Sequence, residues 1–270
     1  MICINPVYVR RNGFHVRCGK CLPCRETRQK EWSVRLNDEF QKAFTAYFVT
    51  LTFTDDSLKK YPKLDKSQFQ RFLKRLRQYD VRGLPTTYEG KKVLRIDEKG
   101  QNFKYFAVGE YGTKTNRPHW HMLIFNFPYD QEMTEIIIDY AWREDNISLG
   151  MDHIGIVKGG AIEYVTDYLF KNEYKESVRL ISKGIGSLYP NSDVINYHQN
   201  KMDGLMIVNH KKRSMPRYYA QKLFTREQRE QIGIQKADFI LEQNLADPYL
   251  VERQYVNLKQ KINNKQQKRK

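Results

Sequence analysis

No run of apolar residues in this chain approaches the ~18 that a membrane-spanning helix requires, and the start, Met1-Ile-Cys-Ile-Asn-Pro, has neither the charged beginning nor the apolar stretch of a signal peptide. A soluble, cytoplasmic protein is therefore the expectation. No cysteine follows Cys24, which excludes a secreted fold stapled along its length by disulfides. No Gly-x-x-x-x-Gly-Lys-Ser/Thr loop is present, so the chain is not expected to carry a nucleotide-driven motor. A long basic helix with an apolar face of Trp and Phe is also missing, which disfavours a membrane surface as the partner. There is no internal repeat. Acidic residues run out at Glu252, leaving Asn263-Asn-Lys-Gln-Gln-Lys-Arg-Lys270 as a basic tail expected to be disordered.

What the sequence has in excess is positive charge and aromatic rings. Lys and Arg number 47 against 31 Asp and Glu in 270 residues, a net charge of +16, alongside 18 Tyr and 14 Phe. That combination favours a polyanion whose phosphates are neutralised and whose bases stack on rings, so nucleic acid is the expected partner. The length allows one large domain with an appendage and a sizeable core.

Periodicity divides the chain into three segments. Residues 1–45 hold a cysteine-rich start and a helix over Arg25 to Phe44, with Trp32, Leu36, Phe40 and Phe44 on one stripe. Residues 46–175 read as a core, opening on Ala46-Tyr-Phe-Val-Thr-Leu-Thr-Phe-Thr54, a strongly β-prone and central strand. A helix over Ser67 to Tyr79 follows, with a basic flank of Arg71, Lys74, Arg75 and Arg77 that could track phosphates. Residues 81–100 are turn-rich, with a short strand at Val93 to Ile96; further on come a helix over Gln131 to Arg143, a strand over His153 to Val157 and a helix over Ala161 to Lys175. The C-terminal extension, 176–270, is expected to be irregular over Ser177 to Asn209, ordered again from Met215 and mostly helical over Thr225 to Leu258. The pattern of hairpins and crossovers suggests an α+β fold with a largely antiparallel central sheet flanked by helices.

Three groups of residues carry chemistry. Tyr105 to Tyr111 and Trp120 to Phe125 are strand-like on either side of the turn residues Gly112 to Pro118, so they predict a β-hairpin. On its second strand His119 and His121 share a face, with Trp120 and Met122 on the other, and pairing can bring Glu110 back to the histidines. Two imidazoles and a carboxylate, with positions left open, suit a divalent cation that also holds a substrate oxygen. The second group, Cys18-Gly-Lys-Cys21-Leu-Pro-Cys24, has the two-residue spacing that grips zinc, with Cys3 as a fourth thiolate or His15 in its place. An iron–sulfur cluster fits less well because no fourth nearby Cys-Pro follows, and a reduced, unliganded cluster stays open. In the third, Tyr164, Tyr168, Lys171 and Lys175 fall along one face of the expected helix. A tyrosine oxygen beside a cation and an ammonium can attack a phosphodiester, while the bland alternative is a pair of core aromatics.

Together, His119-Trp-His121 between apolar residues, Gly-Glu110-Tyr-Gly ahead of it, the strand Phe48-Val-Thr-Leu-Thr-Phe53 and the Tyr168-x-x-Lys171 helix resemble the three motifs of HUH endonucleases. The paired tyrosines resemble the two-tyrosine branch. The Cys18 to Arg35 segment, Arg-Pro-His-Trp-His and Pro216-Arg-Tyr-Tyr219 resemble the replication initiators of small single-stranded DNA phages, the gokushovirus-like microviruses. The resemblance implies a ferredoxin-like (RRM-like) core, Mg²⁺ or Mn²⁺ on Glu110, His119 and His121, and Tyr164 and Tyr168 as alternating nucleophiles. It also implies nicking at a phage origin through a 5′-phosphotyrosyl link with a free 3′-hydroxyl, then rejoining, in the cytoplasm of a bacterial host with its helicase and replication machinery. One departure is Asp167, where the family often has Lys, which favours Tyr168 with its Lys171 for the first cut. A transposase or plasmid initiator of the same superfamily would share the site, and a non-catalytic zinc-containing nucleic-acid-binding protein is the alternative of another class.

Overall fold

The computed structural model of the chain describes residues 3–10, 14–82, 103–112, 114–158, 160–171, 178–208 and 211–246, with positions 249, 252, 256 and 260. The strand expected at 93–96 and the basic tail lie outside these residues. In chain order the elements are β1 (Val7–Val9), β2 (Phe14–Val16), α1 (Leu22–Lys42), β3 (Ala46–Leu51), α2 (Asp55–Lys60), α3 (Lys66–Arg82), β4 (Lys104–Tyr111), β5 (Pro118–Phe125), α4 (Gln131–Ala141) and β6 (Arg143–Glu144). They continue as β7 (Ile147–Ser148), β8 (Asp152–Ile156), α5 (Ala161–Lys171), β9 (Val178–Ile181), α6 (Ser192–Lys201), β10 (Leu205–Val208), β11 (Lys211–Ser214), α7 (Arg217–Leu223) and α8 (Arg226–Ala246). Two compact units emerge: 36–187, and 1–35 together with 188–270.

The unit 36–187 is built on a five-stranded sheet in the order β8-β3-β5-β4-β9, antiparallel at every joint. Its first four strands in sequence stand fourth-first-third-second across the sheet with helices between, the ferredoxin-like β-α-β-β-α-β arrangement within an α+β fold. Alternation sets the two faces. Tyr47, Val49, Leu51, Trp120, Met122, Ile124, Tyr105 and Ala107 join the cluster that includes Phe69, Phe72, Leu73 and Leu76 of α3 and Ile137, Ile138 and Ala141 of α4. Burial of each large side chain there contributes roughly 1.5–3 kcal/mol. Phe48, Thr50, His119 and His121 alternate with these residues and so turn to the opposite face, where α5 packs.

The starts of α2 and α4 are fixed by caps, Thr54 accepting from the Ser57 amide and Asp130 from the Met133 amide. Beyond β3 the ladder continues irregularly, with the Thr52 amide donating to Met151 O at 2.8 Å and the Thr54 amide to Leu149 O at 2.9 Å. Gly150 sits so close to this segment that a methyl group there would collide with the Thr52 carbonyl oxygen, which also accepts from Trp142 Nε1 at 2.9 Å. Gly150→Ala is expected to destabilise this unit by about 3 kcal/mol, seen as a lower urea midpoint at constant slope. An unmoved midpoint would show that the backbone shifts freely there.

Several expectations need correction. The helix expected to run to Phe44 ends at Lys42, and Phe44 is exposed. Residues 177–209, expected to be irregular, contain β9, which closes the sheet edge against β4, as well as α6 and β10. The basic flank of α3 lies on the sheet face away from His119 and His121 and is partly engaged: Arg75 donates to Ala141 O at 2.8 Å and Arg77 lies over Phe103 and Tyr105.

In the other unit, β1 pairs with β2 and β10 with β11, each antiparallel. Val34, Met206, Met215, Tyr219, Leu223, Phe224 and Ile232 form its apolar cluster, and Arg35 is held between Trp32, at 4.2 Å, and Tyr218, at 3.9 Å.

Candidate metal centre and its tyrosines

The register of the central strands assembles this centre. Glu110 of β4 stands directly across from His119 of β5, and His121 stands across from Thr50 of β3. With His119 and His121 two residues apart on one strand, their rings share a face, centroids 4.9 Å apart and nearly perpendicular. Glu110 Oε1 lies 2.8 Å from His119 Nε2 and 3.2 Å from His121 Nε2.

The far side of each ring is held as well. His119 Nδ1 is 3.2 Å from the Arg117 carbonyl, which can only accept, so the neutral ring carries its proton on Nδ1 and turns a lone pair at Nε2 toward Glu110. His121 Nδ1 is 3.0 Å from Thr50 Oγ1. These outer contacts are the kind that orient metal-binding histidines. Three electron-pair donors thus meet within 4.8 Å of one another. Burial alone would raise the Glu110 carboxyl, but hydrogen bonding and charge from the two histidines outweigh it and hold the group at about 2. Such a donor set fits a divalent cation of the Mg²⁺ or Mn²⁺ kind, with room for further oxygen ligands.

Helix α5 lies over this face. Gly160, at φ +93°, makes the bend before it, a conformation that glycine adopts readily. Ile162 and Val165 are buried, and so is Tyr168, so the tyrosine stripe faces the sheet rather than solvent. Tyr168 stacks on His121 with centroids 5.3 Å apart and planes 17° apart, while Tyr164 meets His121 edge-on at 5.4 Å and Tyr168 at 5.0 Å. The Tyr168 phenol is pushed far above its ordinary value by burial first, then by hydrogen bonding to Tyr164 and the negative charge of Glu110. Lys171 ends the helix; its side chain, like residues 172–175, lies outside the described atoms.

Sequence reasoning passed over three neighbours. Phe48 stacks on His121 at 5.5 Å and meets Tyr164 at 5.9 Å, Thr50 holds His121, and His153, across from Thr50 on β8, shares the same sheet face. The available signal was the alternation within Phe48-Val-Thr-Leu-Thr, which sets Phe48 and Thr50 opposite the core residues Val49 and Leu51.

The second cluster, in the other unit, brings together Cys3, Cys18, Cys21 and Cys24, with His15's side chain outside the described atoms. Amides of Cys21 and Lys20 bring the Cys18 thiol down to about 6, whereas burial pushes the Cys24 thiol up to about 12.

Among the described residues no helix is long and apolar enough to cross a membrane. Residues 46–173 match a family model for the replication-associated proteins of the ORF2 type. The chain is 36% identical over 150 residues to "Replication-associated protein VP4" of Bdellovibrio phage phiMH2K, which covers 51% of this chain and 44% of that one. It is 32% identical over 198 residues to "Replication-associated protein ORF2" of Spiroplasma virus 4, covering 64% and 56%, and 31% identical over 138 residues to "Replication-associated protein ORF4" of Chlamydia phage 1, covering 51% and 31%. The chain thus spans about half the length of the first two curated relatives.

Proposed function

We propose that this chain, a relative of phage replication-associated proteins, initiates rolling-circle replication by nicking single-stranded DNA at an origin and later rejoining the ends. The observation that carries the proposal is the stacking of Tyr168 on His121, with its hydroxyl hydrogen-bonded to Glu110, so that a nucleophile adjoins two members of the donor set. Mg²⁺ or Mn²⁺ held by Glu110, His119 and His121 would polarise the scissile phosphodiester and spread the charge that builds on its oxygens. The Tyr168 oxygen, its proton lost to solvent, bonds to phosphorus as the bond from phosphorus to the 3′ oxygen breaks. The products are a free 3′-hydroxyl and a 5′-phosphate esterified to Tyr168. Lys171 is assigned to favour the phenolate, and Tyr164, one helical turn away, to receive the strand end in the closing step. Because the ester preserves the energy of the cut bond, joining needs no nucleotide.

The net charge of +16 supports single-stranded DNA as the substrate, and a host helicase would open the duplex. The test is to mix the protein with Mn²⁺ and single-stranded DNA from the genome that encodes it and to run a denaturing gel. A DNA-linked protein band that requires Mn²⁺ is expected. Tight binding to every origin-containing DNA with no such band would sink the proposal in favour of a non-catalytic binding protein.

A further inference from the structure

The cysteine cluster is untouched by the reaction proposed above. Every cysteine of the chain is in it, and none forms a disulfide. We infer that Cys3, Cys18, Cys21 and Cys24 form a structural Zn²⁺ site that ties the N-terminal segment to the start of α1.

The argument begins with distance. Zinc binds four thiolates tetrahedrally at about 2.3 Å, which places neighbouring sulfurs about 3.8 Å apart. Cys3 Sγ and Cys21 Sγ are 3.8 Å apart, and all four sulfurs lie within 4.8 Å of one another. A disulfide would require about 2.05 Å, and a cluster of several irons needs more room between its thiolates than a single ion does.

The backbone is shaped for the same purpose. Cys18 Sγ accepts from the amides of Lys20 at 3.4 Å and Cys21 at 3.3 Å, and Cys3 Sγ accepts from the Cys18 amide at 3.3 Å. Amides aimed at sulfur favour thiolate, the form that binds metal. The turn that permits this passes through Gly19 at φ +72°, with its carbonyl accepting from Arg28 Nη2 at 3.3 Å. The ligands also span separate pieces of chain. Cys3 precedes the β1–β2 hairpin, Cys18 follows it, Cys21 adjoins α1, and Cys24 lies buried in the first turn of that helix. Two three-residue strands form too small a hairpin to be stable alone, and a shared ion supplies the missing crosslink. On binding, each thiol loses its proton to solvent and no electron is transferred, so the site needs only a reducing environment and zinc. The soft, four-sulfur donor set separates it from the Glu110, His119 and His121 centre, whose donors suit harder cations.

The experiment uses the full chain purified under reducing conditions without chelator. Elemental analysis is expected to find one equivalent of zinc, retained in a His119→Ala/His121→Ala variant. In the wild-type protein, titrating the thiols with an organomercurial should release that zinc in step with loss of the four thiols, and the N-terminal segment should then become sensitive to trypsin. A Cys18→Ser/Cys21→Ser variant should bind less than a tenth as much zinc. Free reaction of all four thiols in metal-free native protein, iron in place of zinc, disulfides in the purified chain, or zinc that leaves with the histidine variant would each overturn the inference.

Discussion

Tyr168→Phe is expected to lower formation of the covalent DNA–protein band by roughly 10³-fold or more, the scale of losing a nucleophile, while DNA binding stays within a few-fold. The substitution keeps the ring that stacks on His121 at 5.3 Å and removes only the hydroxyl, so it should cost the fold on the order of 1 kcal/mol through lost hydrogen bonds. Tyr164→Phe is expected to leave the first cut within about tenfold but to stop closure of the circle, because its hydroxyl is assigned to the second transfer. Each phenol lies within ring contact of His121, so proximity alone does not separate them. Tyr168 is distinguished by its hydrogen bonding to Glu110 and by the Lys171 that follows it one turn on, whereas Tyr164 has Asp167 at the matching position. A band that survives Tyr168→Phe and vanishes with Tyr164→Phe would reverse the order of the two tyrosines.

How much of this was readable beforehand depended on how local the cause was. Period-two alternation made the β4–β5 hairpin legible, and with it the shared face of His119 and His121 and the return of Glu110, because strand geometry and turn residues are set within a short stretch. The helical spacing of Tyr164 and Tyr168 was equally plain, but not which way they point. Burial of Tyr168 follows from α5 lying on the sheet, a tertiary fact with no sequence period of its own.

Non-local pairing explains the failures. Val178-Arg-Leu-Ile181 is too short to announce itself, and it is a strand because β4 offers it an edge across some 70 residues of chain. The helix Ser192 to Lys201 carries Asn, Tyr and His in place of strong helix formers, and its main signal was the Asn191 cap that accepts from the Val194 amide. The basic flank of α3 illustrates the opposite error. Four basic residues on a helix suggest a phosphate track, yet Phe69 and Trp120, rings 4.3 Å apart, fix that helix to the core face, and Arg75 and Arg77 spend themselves on Ala141, Phe103 and Tyr105. Charge pattern gives a face without saying which way it looks.

The metal centre yields the second large effect. Glu110→Gln keeps the shape of the side chain but removes the only charge among the three donors, and cleavage is expected to fall by roughly 10²-fold or more at fixed Mn²⁺. Activity alone would not show why, so binding is to be read through stability. A ligand present at 100 times its dissociation constant stabilises the fold by about 2.7 kcal/mol, which for a unit the size of 36–187 raises the melting temperature by roughly 5–10 °C. That Mn²⁺-dependent rise should appear in the wild-type chain and in Tyr168→Phe, and should be lost in Glu110→Gln and in His121→Ala. Thr50→Val probes the layer behind. It leaves all three donors in place and removes the hydroxyl 3.0 Å from His121 Nδ1, so the Mn²⁺ concentration giving half the rise should increase about 10- to 100-fold with the full rise still reached. If Glu110→Gln melts with the same Mn²⁺ response as the wild type, the ion is held elsewhere and the centre between β4 and β5 is only a buried hydrogen-bonded cluster. If Thr50→Val behaves as Glu110→Gln does, Thr50 positions more than one ring, and the link from β3 through His121 to Tyr168 is what keeps the nucleophile and the donor set in register.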